Sequence, residues 1–190
     1  MAIKIYAVPG TFCNENVWDE LVKTLPENVE LIHVAIPGKR TINEIIEVLL
    51  KVLPKEPCLL MGFSFGGYLI SAFALKYPAR VKKILVVADG LNQLTAKDTD
   101  NRKQFVNYIK SEGFSGIGDE LVISALHPKR VDDTQLHKQI ISMSQTMQAF
   151  TAQSQLLATI TRENIIEAVT RLHLPTWFVI GGSDNTVDKN

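Results

Sequence analysis

Short apolar runs alternate with amphipathic segments along the first 88 residues of the chain. The runs are Ile3 to Val8, Val29 to Ile36, Cys58 to Met61 and Val81 to Ala88, and two of them end at a Pro-Gly pair. Apolar runs of this length, rich in β-branched residues, are typical of strands buried on both faces of a sheet. Strands that alternate with helical segments indicate a parallel α/β sheet. The pattern therefore predicts four parallel strands in the first half of the chain.

Two helices are predicted between the first three strands from apolar stripes and their start signals. Asn16 can cap the first helix, whose stripe continues until Pro26. A capping box of Thr41 and Glu44 begins the second helix, which ends before Pro54. Each helix thus carries the chain from one strand back to the start of the next.

The pattern changes after Asp89-Gly90. Residues 91–174 contain no convincing strand, and a fifth apolar run, Thr176 to Ile180, follows. The helical segments expected in between are Phe105 to Ile109, Leu121 to Leu126, Leu136 to Met147 and Ile165 to Leu172. Since ligands bind at the carboxyl ends of parallel strands, an insertion that leaves and returns there is expected to cover the site. We therefore predict one domain, residues 1–190, with a helical lid over about residues 91–172.

Composition and charge narrow the class of partner. The chain has 190 residues, of which 46% are hydrophobic, and its 20 basic and 20 acidic residues cancel. No block of like charge stands out, so nothing draws the protein to nucleic acid or to an anionic membrane. A neutral or small molecule is the expected partner.

Metal and nucleotide chemistry have no support in the sequence. Cys13 and Cys58 lack metal-ligand spacing, and the glycine-rich phosphate-binding motifs are absent, so we expect neither a metal nor a cofactor. The N-terminus has no secretory signal, and no apolar run approaches the ~20 residues that span a bilayer. A cytoplasmic protein is therefore expected.

The segment Gly62-Phe63-Ser64-Phe65-Gly66 matches the G-x-S-x-G motif between a predicted strand and a predicted helix. A sharp strand-to-helix turn lifts the serine above the sheet edge, and its cramped backbone needs glycine on both sides. The following helix begins with N–H groups directed at the place where negative charge develops during acyl transfer. We therefore predict that Ser64 is a nucleophile and that the Phe65 N–H belongs to an oxyanion hole.

Four segments, in order along the chain, resemble those of a known family. They are Ala7-Val8-Pro9-Gly10-Thr11 with Trp18 farther on, Ala35-Ile36-Pro37-Gly38, the turn at Ser64, and Leu174 to Asp184. They are similar to the oxyanion loop, the Asp-x-Pro-Gly turn, the nucleophile elbow and the acid-bearing strand of the α/β-hydrolase family. Within that family the chain looks most similar to small carboxylesterases and thioesterases with helical lids.

The resemblance implies roles for individual residues. Ser64 would attack an ester or thioester and form an acyl-enzyme, Asp184 would orient a histidine, and the N–H groups of Thr11 and Phe65 would form the oxyanion hole. Pro9 and Ala35 replace the histidine and aspartate usual in the first two segments, and the leading hairpin of the family is absent. Neither replaced residue normally takes part in the chemistry.

The serious departure from the family pattern is the missing histidine, the third member of the catalytic triad after the serine and the acid. In this family it follows the acid, but only six residues follow Asp184 and none is histidine. Of the four histidines present, His33 and His173 are expected away from the catalytic edge, whereas His127 and His137 could overhang Ser64. Asp89, at the end of the fourth predicted strand, is the alternative acid.

Two functions follow from this departure. The leading one is a hydrolase whose last strand, histidine and helix lie beyond Asn190, so that the 190 residues hydrolyse esters barely above background. The rival is a non-catalytic small-molecule binding protein of the same fold, in which Ser64 is an architectural relic. Neither the substrate nor the oligomeric state is encoded in a recognisable motif.

Overall fold

A five-stranded parallel sheet forms the centre of the molecule in a computed structural model that describes residues 2–184 and Val187. The strands are β1 (Ile3–Val8), β2 (Val29–His33), β3 (Cys58–Phe63), β4 (Val81–Val87) and β5 (Thr176–Val179). Their order is β2-β1-β3-β4-β5, and every neighbouring pair is parallel. The predicted parallel α/β sheet is therefore confirmed, with β3 at its centre.

Helices flank the sheet and fill the insertion between β4 and β5. They are α1 (Asp19–Val22), α2 (Ile42–Val52), α3 (Phe65–Lys76), α4 (Ala96–Glu112), α5 (Asp119–Ala125), α6 (Thr134–Gln145), α7 (Ala149–Ile160) and α8 (Ile166–Thr170). Short 3₁₀ turns occur at Glu15–Trp18, Pro78–Arg80 and Pro128–Arg130. The insertion is helical as predicted, although the sequence pattern did not reveal α7.

The first helix differs from its prediction. Asn14, and not Asn16, provides the cap, because its side chain accepts a hydrogen bond from the Asn16 N–H at 3.0 Å. The cap begins a 3₁₀ turn, and α1 adds only four residues to it. Trp18 is buried against the sheet and Leu21 packs against the same cluster, but Val22 is 52% exposed, so the predicted stripe covers the sheet only in part.

The second helix follows its prediction in detail. The Thr41 side chain accepts a hydrogen bond from the Glu44 N–H at 3.3 Å, and Glu44 Oε2 accepts one from the Thr41 N–H at 3.1 Å. This reciprocal capping box satisfies two N–H groups that the first turn leaves without helical partners. It fixes the start of α2 at the position that the sequence indicates.

Three clusters of buried residues hold these layers together. The largest joins one face of the sheet to α2 and α3, and a smaller one sets Trp18 against Ala7 and Met61 on the other face. The third lies inside the insertion, where residues of α4 and α7 enclose Phe12 of the loop after β1. The insertion therefore packs at the carboxyl edge of the sheet, beside the turn that carries Ser64.

Candidate active site

Ser64 occupies a strained turn between β3 and α3. Its backbone angles are φ 49° and ψ −126°, a region that residues other than glycine seldom enter. The Ser64 N–H donates to the Val87 carbonyl at 2.8 Å, which ties the turn to β4. Its side chain is partly exposed and makes no hydrogen bond within the described part of the chain. The turn thus presents a free hydroxyl at the carboxyl edge of the sheet.

Two glycines make this turn possible. A Cβ at Gly62 would lie 2.4 Å from the Gly66 carbonyl oxygen, and one at Gly66 would lie 2.2 Å from the Val8 carbonyl oxygen. A Cβ at Gly10 would lie 3.3 Å from Ser64 Cβ. The loop after β1 therefore rests directly on the turn at Ser64, with no room for another side chain between them.

The two predicted oxyanion donors are both unused among the residues described. Phe65 is the first residue of α3, where an N–H has no partner inside the helix. Neither its N–H nor that of Thr11 donates a hydrogen bond to any described residue. The structure thus leaves both amides available near Ser64, and their role stays a prediction.

The amide of Phe12, which follows Thr11 in the loop, already has a hydrogen-bond partner. The Phe12 N–H donates to Oε1 of Gln155, on α7, at 3.0 Å in a buried environment. Phe12 has φ 64°, and its ring centroid lies 5.7 Å from that of Phe105 and 5.5 Å from that of Phe114. Sequence reasoning missed Gln155 because α7 buries residues on several sides and therefore shows no clear amphipathic stripe.

Asp184 lies on the loop that follows β5, at the same edge of the sheet as Ser64. Its N–H donates to the Gly181 carbonyl at 3.0 Å, which closes a turn around Gly182. Because β4 lies between β3 and β5, about 10 Å of sheet separates the two strand ends. The two residues therefore lie at one edge of the sheet, and the role of Asp184 stays a prediction.

Asp89, the alternative acid, is occupied by an arginine. Arg162 donates to both of its carboxylate oxygens, at 2.9 and 2.8 Å, and the Leu91 N–H donates to Oδ1 at 2.7 Å. Burial raises the pKa of Asp89, although the charge of Arg162 opposes this effect. With both oxygens used, Asp89 is poorly placed to orient a histidine, which favours Asp184.

None of the four histidines makes a hydrogen bond to Ser64. His33 is the last residue of β2, not an interior one as the sequence predicts, because the β1–β2 ladder ends at the pair Ala7 and His33. Its Nδ1 accepts a hydrogen bond from Trp18 Nε1 at 3.3 Å, and burial lowers its pKa. His173 precedes β5 and lies at the opposite, amino end of the sheet.

The two histidines of the insertion have local contacts. Nδ1 of His127 accepts a hydrogen bond from the Lys129 N–H at 3.0 Å, and its side chain is exposed. His137, on α6, has its Nδ1 4.0 Å from Asp119 Oδ1, and its Nε2 is buried with no hydrogen-bond partner among the described residues. Neither contact links these imidazoles to the turn at Ser64.

Cys13 lies in the same loop as the predicted donor Thr11. Its thiol donates to the Thr11 carbonyl at 3.6 Å, and burial raises its pKa to about 11. A thiol with such a pKa is protonated at neutral pH and is a poor nucleophile. Ser64 is therefore the better candidate nucleophile at this edge.

Across residues 2–184 and Val187, no group of three or more histidine, cysteine or acidic side chains is arranged to hold a metal ion. None of the helices in that same part of the chain is both long enough and apolar enough to cross a bilayer.

Comparison with known proteins agrees with this architecture. The family model described as alpha/beta hydrolase fold matches residues 37–122, a segment that includes α2, β3, the turn at Ser64, α3 and β4. An esterase from Thermogutta terrifontis, solved with malate bound, superposes over 95% of this chain with a TM-score of 0.81. The chain has the α/β-hydrolase fold. The resemblance to the α/β-hydrolase family that the sequence indicates is thereby confirmed.

The relatives of this chain are distant. The Thermogutta esterase is 19% identical, and the matched part is 72% of its length. An enol-lactonase from Burkholderia xenovorans LB400 is 13% identical with a TM-score of 0.78, and the match covers 98% of this chain and 85% of that one. At these identities the structures establish the fold and not the substrate.

The curated relatives are longer proteins. Monoacylglycerol lipase ABHD6 of Bos taurus is 26% identical over 146 residues, and the match covers 68% of this chain and 41% of that enzyme. The Rattus norvegicus enzyme is 30% identical over 118 residues, and the match covers 53% of this chain and 33% of that one. The chain therefore spans less than half the length of the curated relatives it matches.

Proposed function

We propose that this protein is a serine hydrolase that cleaves a small-molecule ester or thioester through an acyl-enzyme. The observation that carries the proposal is the backbone of Ser64, held at positive φ in a turn that only glycines at positions 62 and 66 permit. Strain of this kind costs about 1–3 kcal/mol and persists where function requires it. A serine with a packing role alone would not require this strained conformation.

We give the other residues the roles that the resemblance to the family implies. Ser64 Oγ attacks the carbonyl carbon, and the Thr11 and Phe65 N–H groups donate to the oxygen on which negative charge develops. Asp184 orients and stabilises the imidazolium that forms when the serine proton is transferred. Expulsion of the alcohol or thiol leaves an acyl-enzyme, which water then hydrolyses.

This mechanism needs an imidazole that the four histidines, as they lie here, do not supply. The serine proton must move to a base as the new bond forms, and removal of the histidine has cost on the order of a millionfold in turnover in a serine hydrolase. We therefore propose that the 190 residues alone react slowly and that a histidine outside them completes the site.

The proposal also covers the lid over the site, the class of substrate and the cellular location. Helices α4 to α8, within about residues 91–172, would act as a lid in a single domain and limit the access of water and substrate to Ser64. The relatives are named as a lipase, an esterase and an enol-lactonase, and these names support an ester as the substrate class. The balanced charge of the chain supports a small-molecule substrate, and a cytoplasmic site of action is a further part of the proposal.

Chemical rescue tests the proposal directly. Labelling by a fluorophosphonate and hydrolysis of p-nitrophenyl acetate are measured for the 190-residue chain with increasing added imidazole. The same series with Ser64→Ala gives the reaction of imidazole itself, and Ser142→Ala, which removes an exposed hydroxyl on α6, controls for the substitution. We expect imidazole to accelerate the native chain and Ser142→Ala, and to leave Ser64→Ala at background.

The non-catalytic binding protein remains the second candidate because none of the four histidines reaches Ser64. It makes the opposite prediction in the same experiment. If imidazole accelerates neither labelling nor hydrolysis beyond the Ser64→Ala background, the serine is not a nucleophile, and the binding function is favoured.

A further inference from the structure

We propose that Gln155 is a positioning residue that holds the oxyanion loop, defined as residues 10–13, in its working conformation. The inference rests on the proposed function and extends it, because it links a helix of the insertion to the assembly of the oxyanion hole. Gln155 touches no reacting atom in this scheme. It acts through the backbone of Phe12, which follows the proposed donor Thr11.

The hydrogen bond itself is the first support. Gln155 is 2% exposed, and its Oε1 accepts the Phe12 N–H at 3.0 Å across a separation of 143 residues. A buried amide without an acceptor is strongly disfavoured. The bond therefore both satisfies Phe12 N–H and keeps that amide from competing with Thr11 N–H as an oxyanion donor.

The backbone of Phe12 is the second support. Its φ of 64° lies in the left-handed region, which is unfavourable for a bulky residue. Such a conformation persists only when surrounding contacts determine it. Gln155 supplies a backbone contact of this kind, and it comes from α7, outside the loop.

The ring of Phe12 supplies the third support. It packs in an edge-to-face arrangement against Phe105 of α4 and is stacked on Phe114, which follows α4. The insertion thus holds the same residue by its amide and by its side chain. Docking of α4 and α7 and formation of the oxyanion hole would then be a single event, so that Ser64 is fully reactive only when the insertion is in place.

Three variants separate this role from simple packing. Gln155→Met keeps the length of the side chain and removes the acceptor, whereas Gln155→Glu keeps an oxygen acceptor at the same position. Ser154→Ala is the matched control, because Ser154 is buried next to Gln155 on α7 and its hydroxyl has no hydrogen-bond partner in the described part of the chain. Thermal denaturation first establishes that each variant is folded.

Two readouts are measured on each folded variant. The first is hydrogen exchange of the Phe12 amide by NMR, which reports the loop and requires no chemistry at Ser64. The second is the imidazole-rescued rate of fluorophosphonate labelling at Ser64. If Gln155→Met fails to fold, the comparison of Gln155→Glu, Gln155→Asn and the native chain gives the same test, because the asparagine side chain is too short to keep the bond.

We expect Gln155→Met to raise exchange of the Phe12 amide about tenfold or more and to slow labelling roughly 10²–10³-fold, the loss typical of one oxyanion donor. Gln155→Glu should retain much of the protection of the Phe12 amide and much of the labelling rate. Ser154→Ala should match the native chain in both. Unchanged exchange in Gln155→Met, or faster exchange with an unchanged labelling rate, would overturn the inference. If the native chain is not labelled at all, the proposed function fails, and the exchange data alone decide whether Gln155 orders the loop.

Discussion

At the scale of single residues, the turn at Ser64 shows how residues without a side chain allow a strained backbone. Ser64 is held at positive φ because β3 runs into α3 with no intervening loop. The cost of that conformation is offset by close backbone contacts that a side chain at Gly62 or Gly66 would prevent. The site therefore depends on the absence of two Cβ atoms as much as on the presence of a hydroxyl.

Substitution of one of these glycines should be severe. In Gly66→Ala, the new Cβ would lie 2.2 Å from the Val8 carbonyl oxygen and 2.3 Å from that of Pro9, and neither backbone atom can move freely. We expect the free energy of unfolding to fall by about 3 kcal/mol or more, above the usual cost of overpacking. Gly118→Ala, where the Cβ would meet nothing within 4 Å, should change it by less than about 1 kcal/mol. Urea denaturation of both variants measures the free energy of unfolding. Similar losses in the two would contradict the close backbone contacts described at Gly66.

The reactivity of Cys13 provides a second prediction at this scale. With a pKa of about 11, its thiolate fraction at pH 8 is roughly a hundredfold below that of an ordinary thiol. In a Cys58→Ser background, iodoacetamide should therefore alkylate Cys13 about a hundred times more slowly in the folded protein than after unfolding in urea. Equal rates in the two states would show that the thiol is not buried as described.

At the scale of elements, one buried ion pair ties the insertion to the sheet. Arg162, between α7 and α8, pairs with Asp89 at the end of β4, and its guanidinium lies 4.3 Å from the centroid of the Tyr68 ring. The Tyr68 hydroxyl donates to the Glu163 carbonyl at 3.1 Å and accepts from the Glu163 N–H at 3.0 Å. These contacts join α3, β4 and the returning end of the insertion beside the turn at Ser64.

Removal of one partner should therefore loosen that junction. Asp89→Asn keeps the size of the side chain but leaves the Arg162 charge buried without its carboxylate, and we expect the free energy of unfolding to fall by about 3–5 kcal/mol. Asp100→Asn is the control, since its pair with Lys103, at 3.6 Å, is largely exposed and should contribute less than about 1 kcal/mol. Chemical denaturation at pH 7 compares the two. A small loss for Asp89→Asn would mean that the pair does not fasten the insertion.

At the scale of the whole molecule, the sheet formed by residues 2–184 ends in an exposed apolar strand. β5 is the last strand in the sheet order, and Trp177 and Val179 on it are 51% and 53% exposed. An apolar edge strand exposes unpaired backbone groups to which another chain can add. Lys83 is the nearby charge, with its Nζ 5.6 Å from the centroid of the Trp177 ring.

The 190-residue chain is therefore expected to self-associate through β5 as its concentration rises. Val179→Lys places a charge on that strand and should shift the protein toward the monomer in analytical ultracentrifugation. Val52→Lys adds the same charge on α2, where the valine is 56% exposed, and should leave the association unchanged. Equal effects of both substitutions would indicate that net charge, and not the strand edge, controls association.

The sequence anticipated most of the sheet and α2 because their signals are local. The first strand ends where β1 ends, and the capping box of Thr41 and Glu44 begins α2 as expected. The first cap was misplaced because two asparagines, Asn14 and Asn16, compete for it within three residues. α7 was missed because a helix buried on several sides carries no amphipathic period. Single-sequence patterns thus identify strands that form short apolar runs and helices that carry a cap or an apolar stripe.

By itself the sequence determined the alternation of strands and helices, the position of the G-x-S-x-G turn and the family, since each depends on residues close together in the chain. Only the tertiary structure decided the partners of the groups around that turn. Gln155 meets Phe12 across 143 residues, and Arg162 meets Asp89 across 73. The physical reason is that a buried amide or charge takes whichever partner the packed helices bring within about 3 Å, and no local pattern records that choice.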